Sequence, residues 1–160
     1  VFRYNLPYRQ MRRRGAPAGS AKRDQEGIRR VAAWLSQRAG RKPMLAGHSY
    51  GGRQSSIAAS EEQGIAEALL LLSYPLHPPG KPEQLRTAHF PSIRIPALFV
   101  HGNRDGFGSV EEMQGALRLI PANTRLLVVD KAGHGIPASS AGLIAEGITE
   151  FWQAAKSPGP

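Results

Sequence analysis

Apolar residues along the 160-residue chain fall into two alternating patterns. Short, nearly continuous apolar blocks occur at Met44–Gly47, Ala68–Ser73, Ala97–Val100 and Leu126–Val129. Blocks of this length, apolar at every position and bounded by Pro, Gly or charged residues, read as strands covered on both faces. Between them the apolar residues recur three and four apart, the period of a helix with one buried stripe. Ser20–Ala39 carries Ile28, Val31, Ala32, Leu35 and Ala39 in that spacing, with Gly40 placed to end it. Tyr50–Glu62 follows the first block as a second helix. Ser109 and Glu112 form an S-x-x-E capping box, opening a helix with Val110, Met113, Leu117 and Ile120 on one face. The last helix runs from about Ser140 to Ala155 and is predicted to bury Ile144, Ile148, Phe151 and Trp152. Val1–Leu6 reads as the end of a strand and Tyr8–Gly19 as a loop rich in Arg, Gly and Pro. Pro75–Pro96 is a long proline-rich excursion, and Lys156–Pro160 a frayed tail. Strands separated by helices predict a single α/β domain over residues 1–160, with a mostly parallel sheet and helices on both faces.

Composition narrows the chemistry. At 41% hydrophobic residues the chain can bury one core. It has no cysteine, which excludes a disulfide framework, a thiol nucleophile and a Cys-ligated metal. No apolar run approaches the ~18–20 residues of a membrane span. No signal-peptide pattern is visible, so a cytoplasmic protein without a membrane partner is the expectation. Charge is uneven: residues 1–53 hold 13 Lys and Arg against 2 Asp and Glu, the remainder 8 against 10. The cluster Arg9, Arg12, Arg13, Arg14 has no acidic residue beside it. A surface for nucleic acid or another acidic partner is one reading. Without an aromatic ladder or a nucleic-acid motif, a solvated loop is the stronger one, and no nucleic-acid partner is expected.

The chemistry concentrates after the strand-like blocks. Gly47-His48-Ser49-Tyr50-Gly51 is G-x-S-x-G, following one block and opening a helix. That arrangement puts a serine on a sharp strand-to-helix turn, where side chains at Gly47 and Gly51 would collide with neighbouring backbone. It aims the Tyr50 backbone N–H toward any oxyanion that forms at Ser49. A serine needs a base to attack. The third block runs into Asp105 and the fourth into His134, giving the chain order Ser-Asp-His. In a parallel sheet these strand ends share one edge, where Ser49, Asp105 and His134 can meet. Asp130 is nearer His134 in sequence and competes for the acid role, but the chain order favours Asp105. His48 is expected to pack, and His77 and His89 to make loop hydrogen bonds. Arg53, one turn into the helix, is equally suited to an anion near the elbow or a structural salt bridge. His77, His89, His101 and Asp105 lack short ligand spacing, so neither a metal nor a cofactor is expected.

The chain resembles α/β-hydrolases of the KANL3/Tex30 group, which are dienelactone-hydrolase-like. The stretches that carry the resemblance are "FRYNLPY" (2–8), "GHSYGGR" (47–53), "SYPLHPPGKPEQLR" (73–86), "HGNRDGFGS" (101–109) and "AGHGI" (132–136). Tyr50 stands where many relatives carry Met, and His48 where some carry Lys. The resemblance implies the α/β-hydrolase fold, with Ser49 as nucleophile, His134 as base and Asp105 as its orienting acid. A small ester or thioester is the implied substrate. Relatives also carry an HG-type loop, a second oxyanion donor, upstream of the strand matched by residues 2–8. Here that strand is the first element, so an N-terminally incomplete domain is expected. Its exposed sheet edge would invite a second copy or another protein. Some relatives are subunits of complexes, so a non-catalytic interaction domain is the alternative function.

Overall fold

The computed structural model describes residues 1–11, 15, 17, 19 and 21–156. Its elements in chain order are α1 (Pro7–Met11), α2 (Ala21–Ala39), β1 (Met44–His48), α3 (Tyr50–Glu61), β2 (Ala68–Leu72), β3 (Ala97–Gly102), α4 (Val110–Leu117), β4 (Thr124–Val129) and α5 (Ala141–Lys156). The four strands pair in parallel in the order β1-β2-β3-β4. Leu69 lies opposite Leu45 and Ala97, and Phe99 opposite Leu71 and Leu126. The two inner strands explain their sequences. Every residue of β3 is buried, and β2 reads Ala-Leu-Leu-Leu-Leu because both of its faces are covered.

The strand period sorts the core into two layers. Leu69, Leu71, Ala97 and Phe99 face one side, with Ile28 and Ala32 of α2, Ala58 and Ala59 of α3, and Met113 of α4. Leu98 and Val100 face the other, with Phe151 of α5 and the partly buried Leu70, Leu72, Ile144 and Ile148. Helices therefore cover both faces of the sheet. Each fully buried Leu or Phe contributes about 1.5–3 kcal/mol, so the first layer supplies most of the apolar stabilisation. In α5 only Phe151 of the four predicted residues is fully buried; Ile144, Ile148 and Trp152 are half-buried. The capping box of α4 is formed: Ser109 Oγ accepts from the Glu112 N–H at 3.1 Å, and Glu112 accepts from the Ser109 N–H at 2.7 Å.

The amino-terminal expectation is corrected. Val1–Leu6 joins no ladder, and a short helix occupies Pro7–Met11 where a loop was predicted. The segment packs on α2 instead of lying beside β1. The Phe2 ring sits 5.6 Å from that of Trp34, and Leu6 packs against the first core layer. Pro7 presets the backbone for a first helical turn, and the Leu6 carbonyl accepts the N–H groups of Arg9 and Gln10 at 2.8 and 3.1 Å. Among the described residues the sheet edge on this side is β1, not Val1–Leu6. Arg12, Arg13 and Arg14, and the tail beyond Lys156, lie outside the described residues. No helix among the described residues is long and apolar enough to cross a membrane.

Candidate active site

The loops that leave the carboxyl edge of the sheet after β1 and β2 are built alike. The ladder runs one residue past the strand: the Ser49 N–H donates to the Leu72 carbonyl and the Ser73 N–H to the Val100 carbonyl, both at 2.8 Å. The chain then turns through a left-handed residue, Ser49 (φ 51°) after β1, Ser73 (φ 48°) after β2 and Lys131 (φ 58°) after β4. Such angles cost a non-glycine residue about 1–3 kcal/mol and persist only where surrounding structure enforces them. At Ser49 the enforcement comes from close approach of strand and helix. A Cβ on Gly47 would lie 2.4 Å from the Gly52 nitrogen, and one on Gly52 would lie 2.7 Å from the Gly47 carbonyl oxygen. This corrects the expectation for Gly51: a Cβ there meets nothing within 4 Å, because Gly51 faces the open side of the elbow. Gly52 has the packing role that the motif suggested for Gly51.

Ser49, His134 and Asp105 lie in one hydrogen-bonded line. The Ser49 hydroxyl donates to His134 Nε2 at 2.7 Å. His134 Nδ1–H donates to Asp105, at 2.9 Å to Oδ2 and 3.1 Å to Oδ1. A carboxylate only accepts, so this contact assigns the proton to Nδ1 and leaves Nε2 as the acceptor facing Ser49. The Asp105 side chain is fully buried, and the Phe107 N–H also donates to it, at 2.9 Å. His134 keeps 26% of its side chain exposed, and the Phe107 ring lies against its face with centroids 4.1 Å apart. Asp130 instead accepts from the Asn103 side chain at 2.7 Å.

Several residues of this site were not evident from the motif. Gly102 lets the loop that carries His134 cross the end of β3, since a Cβ there would lie 2.3 Å from the Ala132 carbonyl oxygen. The Arg104 N–H ties the same loop down by donating to that oxygen at 2.8 Å. His48, expected to pack, is exposed. Its Nε2–H donates to the His134 carbonyl at 3.0 Å, holding that residue from the β1 side. Tyr50 opens α3, so its backbone N–H lies at the amino-terminal end of the helix, on the same edge as Ser49. The Tyr50 hydroxyl donates to the buried Asp24 at 2.7 Å, and the Tyr8 N–H donates to the other oxygen of Asp24 at 2.9 Å. The elbow is thereby anchored to α2. No short sequence spacing announces such contacts, because they join separate elements.

His77 and His89 make loop hydrogen bonds. His77 Nδ1–H donates to the Pro78 carbonyl at 2.8 Å, and His89 meets Ser56 of α3 at 2.8 Å. Among the described residues no three His, Asp or Glu side chains are grouped to hold a metal. A groove of about 1220 Å³ runs along the outer edge of β1 between Phe2–Leu6 and α5, and reaches the elbow at Gly47, His48 and Gly51.

The family model described as "Alpha/beta hydrolase domain" matches residues 1–151. Among solved structures, the chain is similar to Est1E from Butyrivibrio proteoclasticus, at 18% identity and a TM-score of 0.69, covering 84% of this chain and 70% of that one. It is similar to a dienelactone hydrolase from Anabaena variabilis at 19% identity and a TM-score of 0.66, covering 84% and 61%. An alpha-beta serine hydrolase homologue from Coxiella burnetii matches at 18% identity and a TM-score of 0.61, covering 88% and 62%. The chain thus spans 61 to 70% of the length of these three. At such identities the likeness concerns the fold.

Proposed function

The chain belongs to the alpha/beta hydrolase domain family, and from that premise we propose that it is a serine hydrolase of small esters or thioesters. The observation that carries the reading is the line of hydrogen bonds from Ser49 through His134 to the buried Asp105. In this reading Ser49 Oγ attacks the carbonyl carbon as His134 Nε2 takes its proton. The imidazolium so formed is stabilised by Asp105 and returns the proton to the leaving oxygen or sulfur. The Tyr50 N–H donates to the oxyanion. Water then repeats the sequence on the acyl-serine and releases the acid. Within the family we place the chain with the KANL3/Tex30-like group, on the strength of the proline-rich "YPLHPPGKP" stretch at 74–82.

A fluorophosphonate probe, which labels only an activated serine, tests this directly. Labelling is expected for the chain and absent for Ser49→Ala. Asp105→Asn should slow p-nitrophenyl ester hydrolysis about 10³–10⁴-fold, as loss of the orienting acid does in such triads. Asp130→Asn should cost less than about tenfold, since the Asp130 side chain accepts from Asn103 and makes no hydrogen bond to His134. No labelling, or turnover equal to that of Ser49→Ala, would sink the hydrolase reading and leave an interaction domain in its place.

A further inference from the structure

Behind Asp105 lies a buried histidine that the proposed chemistry does not use. His101 is the penultimate residue of β3 and is closed to solvent. Its Nε2–H donates to the Gly108 carbonyl at 2.8 Å. A carbonyl only accepts, so this contact assigns a proton to Nε2. His101 Nδ1 makes no hydrogen bond among the described residues and lies 3.9 Å from Asp105 Oδ2, beyond hydrogen-bond reach. Both side chains are fully buried.

The Gly108 contact closes a loop around the acid. β3 ends at Gly102 and α4 begins at Val110, so Asp105 sits in the middle of a short connection. Two bonds inside it are local: the Asp105 N–H donates to the Gly102 carbonyl at 3.1 Å, and the Gly108 N–H to the Asp105 carbonyl at 3.4 Å. Such bonds shape a turn without fixing its tilt against the sheet. The tilt is fixed from outside. The Arg104 N–H donates to the Ala132 carbonyl at 2.8 Å, and the His77 N–H to the Phe107 carbonyl at 3.1 Å. His101 adds the bond that joins the two ends of the loop, from the strand before Asp105 to the residue before the α4 cap. It is buried, where water cannot replace a lost partner. Nδ1 meanwhile gives Asp105 no proton. Among the described residues His134 is the side chain that donates to Oδ2, so the carboxylate charge is directed at its imidazole.

Resting on the hydrolase reading for the role of Asp105, we propose that His101 is a positioning residue. Its Nε2–H, held on Gly108, sets the tilt of the Asp105 carboxylate toward His134. It acts through Asp105 and not on the substrate. Loss of that bond leaves the acid in place along the chain but free to turn from the imidazole, so the expected loss is in the chemical step and not in substrate binding.

Two amide variants test the role. The Gln side chain carries its amide nitrogen to the place of the imidazole Nε2, whereas that of Asn reaches only the place of Nδ1. His101→Gln can therefore keep the donor to Gly108. His101→Asn loses it and puts an N–H beside Asp105 Oδ2. His101→Asn should lower kcat for p-nitrophenyl acetate about 10²-fold with KM within about twofold, the signature of a small misplacement. His101→Gln should stay within about tenfold of the native kcat, as a retained hydrogen bond allows. The downfield proton resonance of the His134 Nδ1–H, which reports its bond to Asp105, should persist in His101→Gln and shift or vanish in His101→Asn. Native kcat and resonance in His101→Asn, or equal losses in both variants, would overturn the positioning role. If the variants fail to fold, nitrogen NMR of the native chain decides: His101 should carry its proton on Nε2, and the opposite tautomer overturns the proposal. Fluorophosphonate labelling separates the two readings. An unlabelled native chain whose His134 resonance is lost only in His101→Asn sinks the hydrolase reading alone. A labelled native chain whose labelling rate and resonance are unchanged in His101→Asn sinks the positioning role alone.

Discussion

At the scale of single residues, the glycines of the site differ in how crowded they are. Gly47 and Gly52 sit where strand and helix backbones touch, and Gly102 sits under the loop that carries His134. Gly51 has open space around its Cα. Gly102→Ala should therefore push the 130–134 loop away. The expected cost is about 1–3 kcal/mol of overpacking, and near 10²-fold in ester turnover if His134 moves by about 1 Å. Gly51→Ala should leave stability within about 1 kcal/mol, since any helix-propensity gain is of that size. Urea denaturation and p-nitrophenyl acetate kinetics on the two variants check this, and equal effects would refute the geometric distinction. The sequence motif names Gly47 and Gly51 together. It cannot say which glycine is crowded, because that depends on how closely α3 approaches β1.

At the scale of elements, the proline-rich excursion between β2 and β3 is tied to α3 by a histidine. His89 Nε2–H donates to Ser56 Oγ at 2.8 Å, and the Ser56 hydroxyl donates to the Arg53 carbonyl at 2.9 Å. Burial, with the Arg53 charge behind it, lowers the His89 pKa to about 4, against about 6.5 in the unfolded chain. Above pH 6.5 the imidazole is neutral in both states and costs nothing. Between about pH 6.5 and 4 the unfolded chain takes up a proton that the folded chain refuses, so stability falls as pH falls. At pH 5 the effect is about 2 kcal/mol, or roughly 4–8 °C in Tm. Melts at pH 7 and pH 5 should show a smaller drop for His89→Gln, which keeps an N–H for Ser56. Identical drops would mean that His89 is not the titrating group. Periodicity and the capping residues found α2, α3, α4, α5 and the four strands to within a residue or two at most ends. Val1–Leu6 misled because a short apolar segment looks the same whether it pairs in a sheet or packs on a helix.

At the scale of the whole molecule, the net charge of +9 is concentrated in the first third of the chain. Charges in water at physiological salt act over about 8 Å. Replacing Arg12, Arg13 and Arg14 with Gln should leave turnover of a neutral ester within about twofold at 0.15 M salt. A larger loss, or nucleic-acid binding with a steep salt dependence that vanishes in the variant, would give the basic segment a role that its solvated reading denies.

The sequence alone determined the alternation of strand and helix and the parallel sheet, and put Ser49, His134 and two rival acids, Asp105 and Asp130, at or just past strand ends. Apolar period and strand-end position are local properties, and a parallel sheet necessarily gathers its strand ends on one edge. Only the tertiary structure decided that Asp105 rather than Asp130 meets His134 and that His48 braces the His134 backbone. Each of those facts depends on distances of a few ångströms between elements far apart in the chain. Such distances are set by how the loops cross the sheet edge, and no spacing along the sequence encodes them.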